Sequence, residues 1–203
     1  MTMANRRAFL FLCCSALVTP IARPSLAQTP SDRAAAFVRT TGERILAAMR
    51  STGSVAERRK IVGPIIDQAI DVDGVAQFCL GRFWRTATPD QQQRYTKLFH
   101  EVLIGNITSK LGEYKEVKLT VGRTQTRDDI YIVSTTIERA DNPPTTVDWV
   151  VGNVTSNPKV IDVIAEDTSL RITQRSDYAS FLSHNNNDID KLIRAMKDQL
   201  AQN

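Results

Sequence analysis

The apolar positions of this chain change from a helical spacing to a strand spacing near its midpoint. Up to residue 111, large apolar side chains recur every three or four residues, as they do on one face of a helix. Beyond Lys115 they recur at every second residue, which is typical of strands that bury one face. The first pattern predicts four helices, over residues 33–50, 55–69, 74–80 and 89–111.

Capping residues mark the starts of two of these helices. Ser54 followed by Glu57 forms a capping box, in which each residue satisfies a backbone amide of the other. Thr88 and Gln91 repeat this arrangement around a proline at the first helical position. We also expect Asp73 to cap the short third helix. Since proline has no amide hydrogen, Gly63-Pro64 predicts a bend or break in the second helix.

The fourth helix changes its apolar side along its length. Its apolar residues up to Leu103 share one face, whereas Ile104, Ile107 and Leu111 have rotated onto the flank. We therefore expect its second half to be buried on more than one side before Gly112 ends it. A helix that lies between other helices and a sheet has this pattern, and ordinary core packing explains it equally well.

The second half of the chain predicts a run of short strands followed by two helices. The strands cover residues 117–121, 130–137, 146–151, 160–164 and 169–173, and the final helices cover 176–183 and 188–200. The separators Arg127-Asp128-Asp129, Asp141-Asn142-Pro143-Pro144 and Ser156-Asn157-Pro158 are turn or loop sequences. Short connections between successive strands indicate an antiparallel meander.

This order of elements predicts an α+β fold. A curved antiparallel sheet of four to five strands should pack against a helical layer, with an apolar cavity between them. No composition shift marks a domain boundary, so residues 28–203 should form a single domain.

The N-terminus has the three parts of an export signal. Arg6 and Arg7 form a basic tip, residues 8–18 are apolar, and Ser25-Leu26-Ala27 is a small-residue cleavage site. We expect cleavage after Ala27 and function outside the cytoplasm. The paired arginines also fit a twin-arginine signal, which leaves the export route open.

Removal of residues 1–27 changes the composition. The loss of Arg6, Arg7 and Arg23 lowers the net charge of +4 by three, so the near-neutral remainder gives no support for nucleic-acid binding. Only Cys79 of the three cysteines then remains, and no internal disulfide can form. A lone cysteine of this kind is more often buried and inert than nucleophilic.

The sequence contains only incomplete versions of motifs for catalysis or metal binding. His100-Glu101 opens like a zinc-protease helix, but the second histidine of that motif would replace Ile104. The stretch from Asp71 to Gly74 lacks the further ligands of a calcium loop. We therefore assign no catalytic residue, no metal site and no cofactor. A carboxylate pair assembled by folding would escape this search.

Several motifs resemble the MlaC family of periplasmic phospholipid-binding proteins, also called toluene-tolerance auxiliary proteins. The segment from Asp71 to Gln91 carries the strongest similarity, through Leu80-Gly81-Arg82 and Thr88-Pro89. Further matching segments follow in the family's order at 97–103, 111–114, 146–150, 160–166, 168–170 and 174–178. Asn157-Pro158-Lys159 and Asp167 depart from the family pattern, at a turn and at a strand end. The length of the chain also resembles the hopanoid-associated HpnM branch.

The resemblance implies a carrier that holds lipid acyl chains between sheet and helices. Its partners would be a phospholipid or another membrane lipid, an inner-membrane ABC lipid transporter complex and an outer-membrane lipoprotein complex. It also implies a periplasmic monomer without enzymatic activity. The candidate lining residues are large and mostly apolar, and for each of them ordinary core packing is the competing interpretation: Phe78, Phe83, Trp84, Leu98, Val102, Ile107, Tyr131, Trp149 and Ile161.

Other interpretations of the same residues remain open. Arg82 and Arg85 either approach a lipid phosphate at the mouth of the cavity or are simply solvated. A pocket enzyme would use a buried Asp or Tyr such as Asp148 or Tyr131 for proton transfer. A periplasmic protein-binding adaptor would instead have a filled core and an exposed apolar patch.

Overall fold

The computed structural model describes residues 28–50, 54–111, 117–139 and 142–202. The predicted export signal, residues 1–27, and the predicted helix end at Gly112 lie outside these ranges. Within them, no helix is both long and apolar enough to cross a bilayer.

Helices flank a sheet in the order that the sequence predicts. The first four helices are α1 (Pro30–Arg50), α2 (Val55–Ala69), α3 (Val72–Leu80) and α4 (Pro89–Leu111), with a 3₁₀ turn (Gly81–Arg85) between α3 and α4. The strands are β1 (Val117–Arg127), β2 (Ile130–Arg139), β3 (Asn142–Gly152), β4 (Lys159–Ala165) and β5 (Thr168–Ser169). The last helices are α5 (Leu170–His184) and α6 (Ile189–Gln202).

The sheet is an antiparallel meander in which every strand pairs with its neighbours in sequence, in the order β1-β2-β3-β4-β5. Left-handed residues occur in the described connections, with Asp128 (φ 50°) between β1 and β2 and Asn153 (φ 54°) between β3 and β4. Glu166 and Asp167 (φ 50° and 61°) turn the chain between β4 and β5. The predicted α+β class is confirmed.

Both predicted capping boxes are present. The Ser54 amide donates to Glu57 Oε2 (2.7 Å), and the Glu57 amide donates to Ser54 Oγ (3.3 Å). At α4, the Thr88 amide donates to Gln91 Oε1 (3.0 Å) and the Gln91 amide to Thr88 Oγ1 (3.2 Å). Each pair satisfies amides that helix geometry leaves without an internal partner.

Two features of the first helices differ from expectation. Of the bend or break predicted at Gly63-Pro64, the break does not occur, because the second helix continues through Pro64 to Ala69. Val62, Ile65 and Ile66 are buried around the proline, and their packing holds the helix despite the lost hydrogen bond. The third helix is capped by Asp71, not Asp73: it begins earlier, at Val72, and Asp71 Oδ1 accepts from the Gly74 amide (3.1 Å).

The predicted last strand, 169–173, is mostly helical. Only Thr168 and Ser169 pair with β4, and α5 begins at Leu170. Ser169 Oγ accepts from the Ile172 amide (3.2 Å), and this N-cap outweighs the strand preference of the β-branched residues that follow.

Part of the predicted loop at 141–144 belongs to a strand. Asn142 pairs with Arg139 at the start of β3, and regular pairing resumes between Thr145 and Ile137. Pro143 and Pro144 fall within this register shift, where a missing amide hydrogen removes no regular ladder bond.

Buried apolar residues form three clusters. The helical cluster joins α3, the 3₁₀ turn, α4, α5 and α6, and contains Ala76, Cys79, Leu80, Phe83, Tyr95, Leu98, Phe99, Val102, Tyr178, Leu182, Ile189, Leu192, Ile193 and Met196. The α2 cluster contains Ala48, Val62, Ile65, Ile66 and Ile104. The sheet cluster contains Ala34, Val38, Val133, Val151 and Val154. Since α4 contributes to the first two, the predicted burial of this helix on more than one side is confirmed.

Candidate functional site: the inner face of the sheet

One face of the sheet, here called the inner face, packs on α1. Val133 and Val151 lie on it and are fully buried with Ala34 and Val38 of α1. Cross-strand partners point to the same side of a sheet, so the strand register identifies the other inner-face residues. These include Leu119, Val121, Tyr131, Thr135, Ile137, Val147, Trp149, Val163 and Ala165.

Much of this face is apolar but only half-buried. Leu119, Ile137 and Val163 are neither fully covered nor fully exposed, and the same holds for Tyr131 and Trp149. α1 approaches β1 closely at Gly42, where an added Cβ would be 2.9 Å from Leu119 Cδ1. α1 therefore covers the part of the sheet formed by β1 and β2. Half-buried inner-face side chains also occur on β4, beyond the part that α1 covers.

The Thr135 hydroxyl holds the side chain of Trp149, the largest on the inner face, through a hydrogen bond. Trp149 Nε1 donates to Thr135 Oγ1 (3.0 Å), and that hydroxyl donates to the Val147 carbonyl (3.0 Å). Thr135 is 1% exposed, so both bonds are shielded from water. The indole ring is thereby held in one orientation with its remaining surface apolar.

The nine predicted lining residues separate into two groups. Phe83, Leu98 and Val102 are buried in the helical cluster, and Phe78 and Trp84 pack against it. The structure therefore brings these five residues together within the helical layer.

The other four predicted lining residues lie nearer the sheet. Tyr131 and Trp149 share the inner face, and Ile107 packs against the α2 cluster. Ile161 is on β4, where its Cγ2 is 3.6 Å from the position of a Cβ on Gly152. The lining role of all nine residues stays a prediction.

Sequence reasoning missed three half-buried residues of the inner face, namely Leu119, Ile137 and Val163. Leu119 lies opposite Ile137, and Val163 lies opposite Trp149. Alternation within β1 and β4 was the available signal, but it shows only that every second side chain lies on the same face of the sheet. The register between strands decides which of the two faces packs on α1.

Cys79 is buried in the helical cluster, away from the inner face. Its Sγ donates to the Arg171 carbonyl (3.6 Å), and burial raises the pKa of its thiol to about 12. Because the thiolate is the nucleophile, this cysteine is inert near neutral pH. Burial also raises the pKa of Tyr95 and of Tyr178 in the same cluster.

The candidate proton-transfer residues do not meet in one pocket. Tyr131 is on the inner face, whereas Asp148 pairs with Ser134 and Ile164 on the opposite face. Asp148 Oδ1 is buried and has no hydrogen-bond partner. A pair made of these two residues cannot share a substrate because the sheet separates them.

His100 is engaged at the surface. Its Nε2 lies 2.6 Å from Asp67 Oδ1, which links α4 to α2. In the part of the chain that the structure describes, no group of His, Cys, Asp and Glu side chains is arranged to hold a metal ion.

The fold and the inner face define a class of protein in which helices cover a meander sheet that retains half-buried apolar surface. Within this class, the chain belongs to the MlaC family: the family's sequence pattern, described as MlaC protein, matches residues 39–198. A curated relative, the toluene tolerance protein ttg2D of Pseudomonas putida, is 27% identical over 146 residues, which cover 70% of this chain and 66% of that protein.

A solved structure has the same fold. It is a phospholipid-binding protein from Ralstonia solanacearum in complex with a phospholipid, and it superimposes with a TM-score of 0.75 at 23% identity. The match covers 83% of this chain and 97% of the other. The arrangement of helices and sheet described above is therefore shared with that protein.

Proposed function

We propose that this protein binds phospholipid in the periplasm and carries it between membrane complexes, as the soluble component of an ABC-type lipid transport system. Membership of the MlaC family supports this proposal, as does the shared fold with a protein solved with a bound phospholipid. The signal-like N-terminus supports export. The partners would be an inner-membrane ABC transporter complex and an outer-membrane lipoprotein complex. The protein would bind each of them as a monomer.

The observation that carries the proposal is the incomplete cover of the inner face. A folded domain usually has one contiguous core, but here the sheet cluster shares none of its residues with the other two clusters in the described part of the chain. Val72 and Leu103, by contrast, pack against both the helical cluster and the α2 cluster.

α1 spans the distance between the sheet cluster and the α2 cluster. It contributes Val38 to the former and Ala48 to the latter, with Ile45 packed against the α2 cluster. We assign acyl chains to the space beside this helix. Its walls would be the half-buried residues Ile45, Ile107, Leu119, Ile137, Tyr131, Trp149, Ile161 and Val163.

The physical chemistry of lipids makes such a site necessary for a carrier. Each buried methylene contributes about 0.8 kcal/mol, so a lipid with roughly 30 methylenes costs on the order of 20 kcal/mol to place in water. An apolar protein surface offsets this cost without covalent chemistry. Lipid would then be exchanged only while the protein is docked to a complex that offers a similar environment.

Native mass spectrometry of protein purified without detergent tests the proposal. We expect a bound lipid, and extraction of that lipid distinguishes a phospholipid from a hopanoid. Protein that is repeatedly empty and takes up no lipid from vesicles would refute the carrier function.

Two neighbouring residues of β4 provide a matched pair for locating the site. Val163 and Ile164 are both half-buried, but Val163 faces inward and Ile164 faces outward. Burial of an unpaired amide against acyl chains costs about 1–3 kcal/mol, so we expect Val163→Gln to lower lipid retention by about fivefold to 150-fold. Ile164→Gln should retain lipid. Equal loss in both variants would contradict the inner-face assignment.

A further inference from the structure

Two arginines pack on Phe78, and two more line a surface depression together with it. The guanidinium carbons of Arg171 and Arg175, on α5, lie 4.5 Å and 4.9 Å from the centre of the Phe78 ring. Arg82 and Arg85 extend from the 3₁₀ turn that follows α3, and both are exposed. We call Arg82, Arg85 and Arg175, together with Phe78 and Trp84, the arginine surface.

The members of the arginine surface line an open depression on the protein surface. A surface cavity of about 320 Å³ is lined by Gln77 and by all five members of this surface. The volume suits a small anionic group such as a phosphate. It is too polar and too small for a pair of acyl chains, which distinguishes it from the inner face of the sheet.

Three arginines of this surface form no ion pair with a carboxylate of the described residues. Arg171 approaches Asp162, with its Nε 3.4 Å from Asp162 Oδ2. Among the residues that the structure describes, no carboxylate lies within 4.0 Å of the guanidinium groups of Arg82, Arg85 or Arg175. Three neighbouring unpaired guanidinium groups produce a positive potential that favours an external anion.

The position of Arg175 depends on a glycine. Gly81 has φ 60°, and a Cβ at this residue would lie 3.1 Å from Arg175 Nε. Arg175 also donates from Nη1 to the Phe78 carbonyl (3.4 Å). The guanidinium group therefore packs tightly on a backbone segment that has a glycine conformation.

Exposed aliphatic side chains lie beside these charges. Leu170 is 52% exposed and Ile172 is 58% exposed, and both are in the first turn of α5. Ile172 is three residues before Arg175, so the two side chains are neighbours on the helix. Exposed aliphatic residues next to arginines and aromatic rings are typical of surfaces that enter the headgroup layer of a membrane.

We propose that the arginine surface binds the phosphate groups of a phospholipid membrane, with Ile172 entering the headgroup layer. The exposed aliphatic residues favour a membrane over free phosphate or an acidic protein, neither of which provides an apolar layer beneath the charge. This surface lies on α3, the 3₁₀ turn and α5, and it is separate from the proposed acyl-chain site. Its function would be docking rather than cargo binding.

Co-sedimentation with vesicles tests the proposal. The protein, as processed in cells, is mixed with vesicles of phosphatidylcholine alone or with equal parts of phosphatidylglycerol. We expect stronger binding to the anionic vesicles and a decline with added salt. The double variant Arg82→Glu with Arg85→Glu should weaken this binding about tenfold or more, since each basic residue near the surface contributes substantially to attraction. Ile172→Ser should weaken binding to both kinds of vesicle.

The matched control also reverses two arginine charges, but on α1 instead of on the arginine surface. Arg39 and Arg44 are exposed on α1, so Arg39→Glu with Arg44→Glu changes the net charge equally. Binding by this control should stay within about twofold of the unmodified protein, because screening limits the influence of distant charges. Equal losses in both double variants would show a net-charge effect and overturn the proposal.

Two further measurements separate docking from cargo binding and from protein recognition. The Arg82→Glu, Arg85→Glu protein should retain its co-purified lipid in native mass spectrometry. Loss of that lipid would assign the arginines to the cargo site and overturn the docking role. Binding of the unmodified protein to polyglutamate but not to vesicles would assign the surface to an acidic protein instead.

Discussion

The helical cluster and the inner face of the sheet use similar side chains in different ways. In the helical cluster, Tyr95 is fully buried, its hydroxyl donates to the Ala76 carbonyl (2.9 Å), and its ring centre lies 6.0 Å from that of Tyr178 in an edge-on arrangement. On the inner face, Trp149 also has a polar partner, but its ring remains only half-buried. The first region is a completed core, and the second retains apolar surface.

This difference indicates where the molecule tolerates change. A completed core loses both transfer energy and packing when it is truncated, whereas a half-buried face loses only part of each. We expect substitutions in the helical cluster to reduce folding stability, and substitutions on the inner face to alter lipid binding more than stability. Three experiments test this contrast.

Alkaline pH should produce the largest effect, and its origin is the helical cluster. Burial raises the pKa of Cys79 to about 12 and also raises those of Tyr95 and Tyr178. The unfolded groups lose their protons near pH 8.5 for Cys and about 10 for Tyr, while the folded groups keep them. The stabilisation is therefore fully present below these unfolded values and is lost as the pH rises toward the folded ones.

Each of these groups lowers the free energy of unfolding by about 1.4 kcal/mol per pH unit within its window, for a total on the order of 5 kcal/mol by about pH 11. Urea titrations at a series of pH values measure this loss. Tyr178→Phe should flatten the slope above about pH 10. A free energy that does not change between pH 8 and 11, to within about 1 kcal/mol, would show that the cluster is not sealed from water.

Truncation of Tyr95 should be the next largest effect. Tyr95→Ala is expected to lower the free energy of unfolding by about 4 kcal/mol, because it leaves a cavity in a closed core. Tyr95→Phe keeps the ring and should cost about 1 kcal/mol through the lost hydrogen bond. Trp149→Ala, on the half-buried face, should cost only about 2 kcal/mol. If Trp149→Ala were as costly as Tyr95→Ala in urea unfolding, the two regions would not differ as described.

The smallest effect concerns the polar contact on the inner face. Thr135→Val removes the hydroxyl that joins Trp149 to the Val147 carbonyl and should cost about 1 kcal/mol. A double-mutant cycle with Trp149→Phe should give a coupling of at least about 0.5 kcal/mol. Additive effects in urea unfolding would show that Thr135 does not orient the indole ring.

Predictions based on local chemistry succeeded in most of the fold. The capping residues Ser54 and Thr88 placed two helix starts, and alternation located four of the five strands. The failures occurred where packing or a competing hydrogen bond overrode local preference. Pro64 is held in a helix by its buried neighbours, and Ser169 converts a strand-like sequence into a helix start.

The predicted lining residues differ in how fully the protein covers them, and their lining role stays a prediction. Large size and apolarity singled out Phe83 and Leu98, which the fold buries in the helical cluster. The same criteria could not single out Leu119 or Val163, which are ordinary aliphatic residues on alternating strands. Composition identifies residues that avoid water, but it does not distinguish those that the protein covers fully from those that it leaves half-buried.

The sequence by itself determined the class of elements, their order, two capping boxes and the family, because these depend on periodicity, local hydrogen bonds and motif spacing. Tertiary structure alone decided which strand faces α1, which apolar residues remain half-buried, and that Arg175 packs on Gly81 beside Phe78. These features depend on register and on contacts between residues distant in sequence. The physical reason is that one-dimensional spacing fixes the direction of a side chain within its own element, whereas burial depends on the element that packs against it.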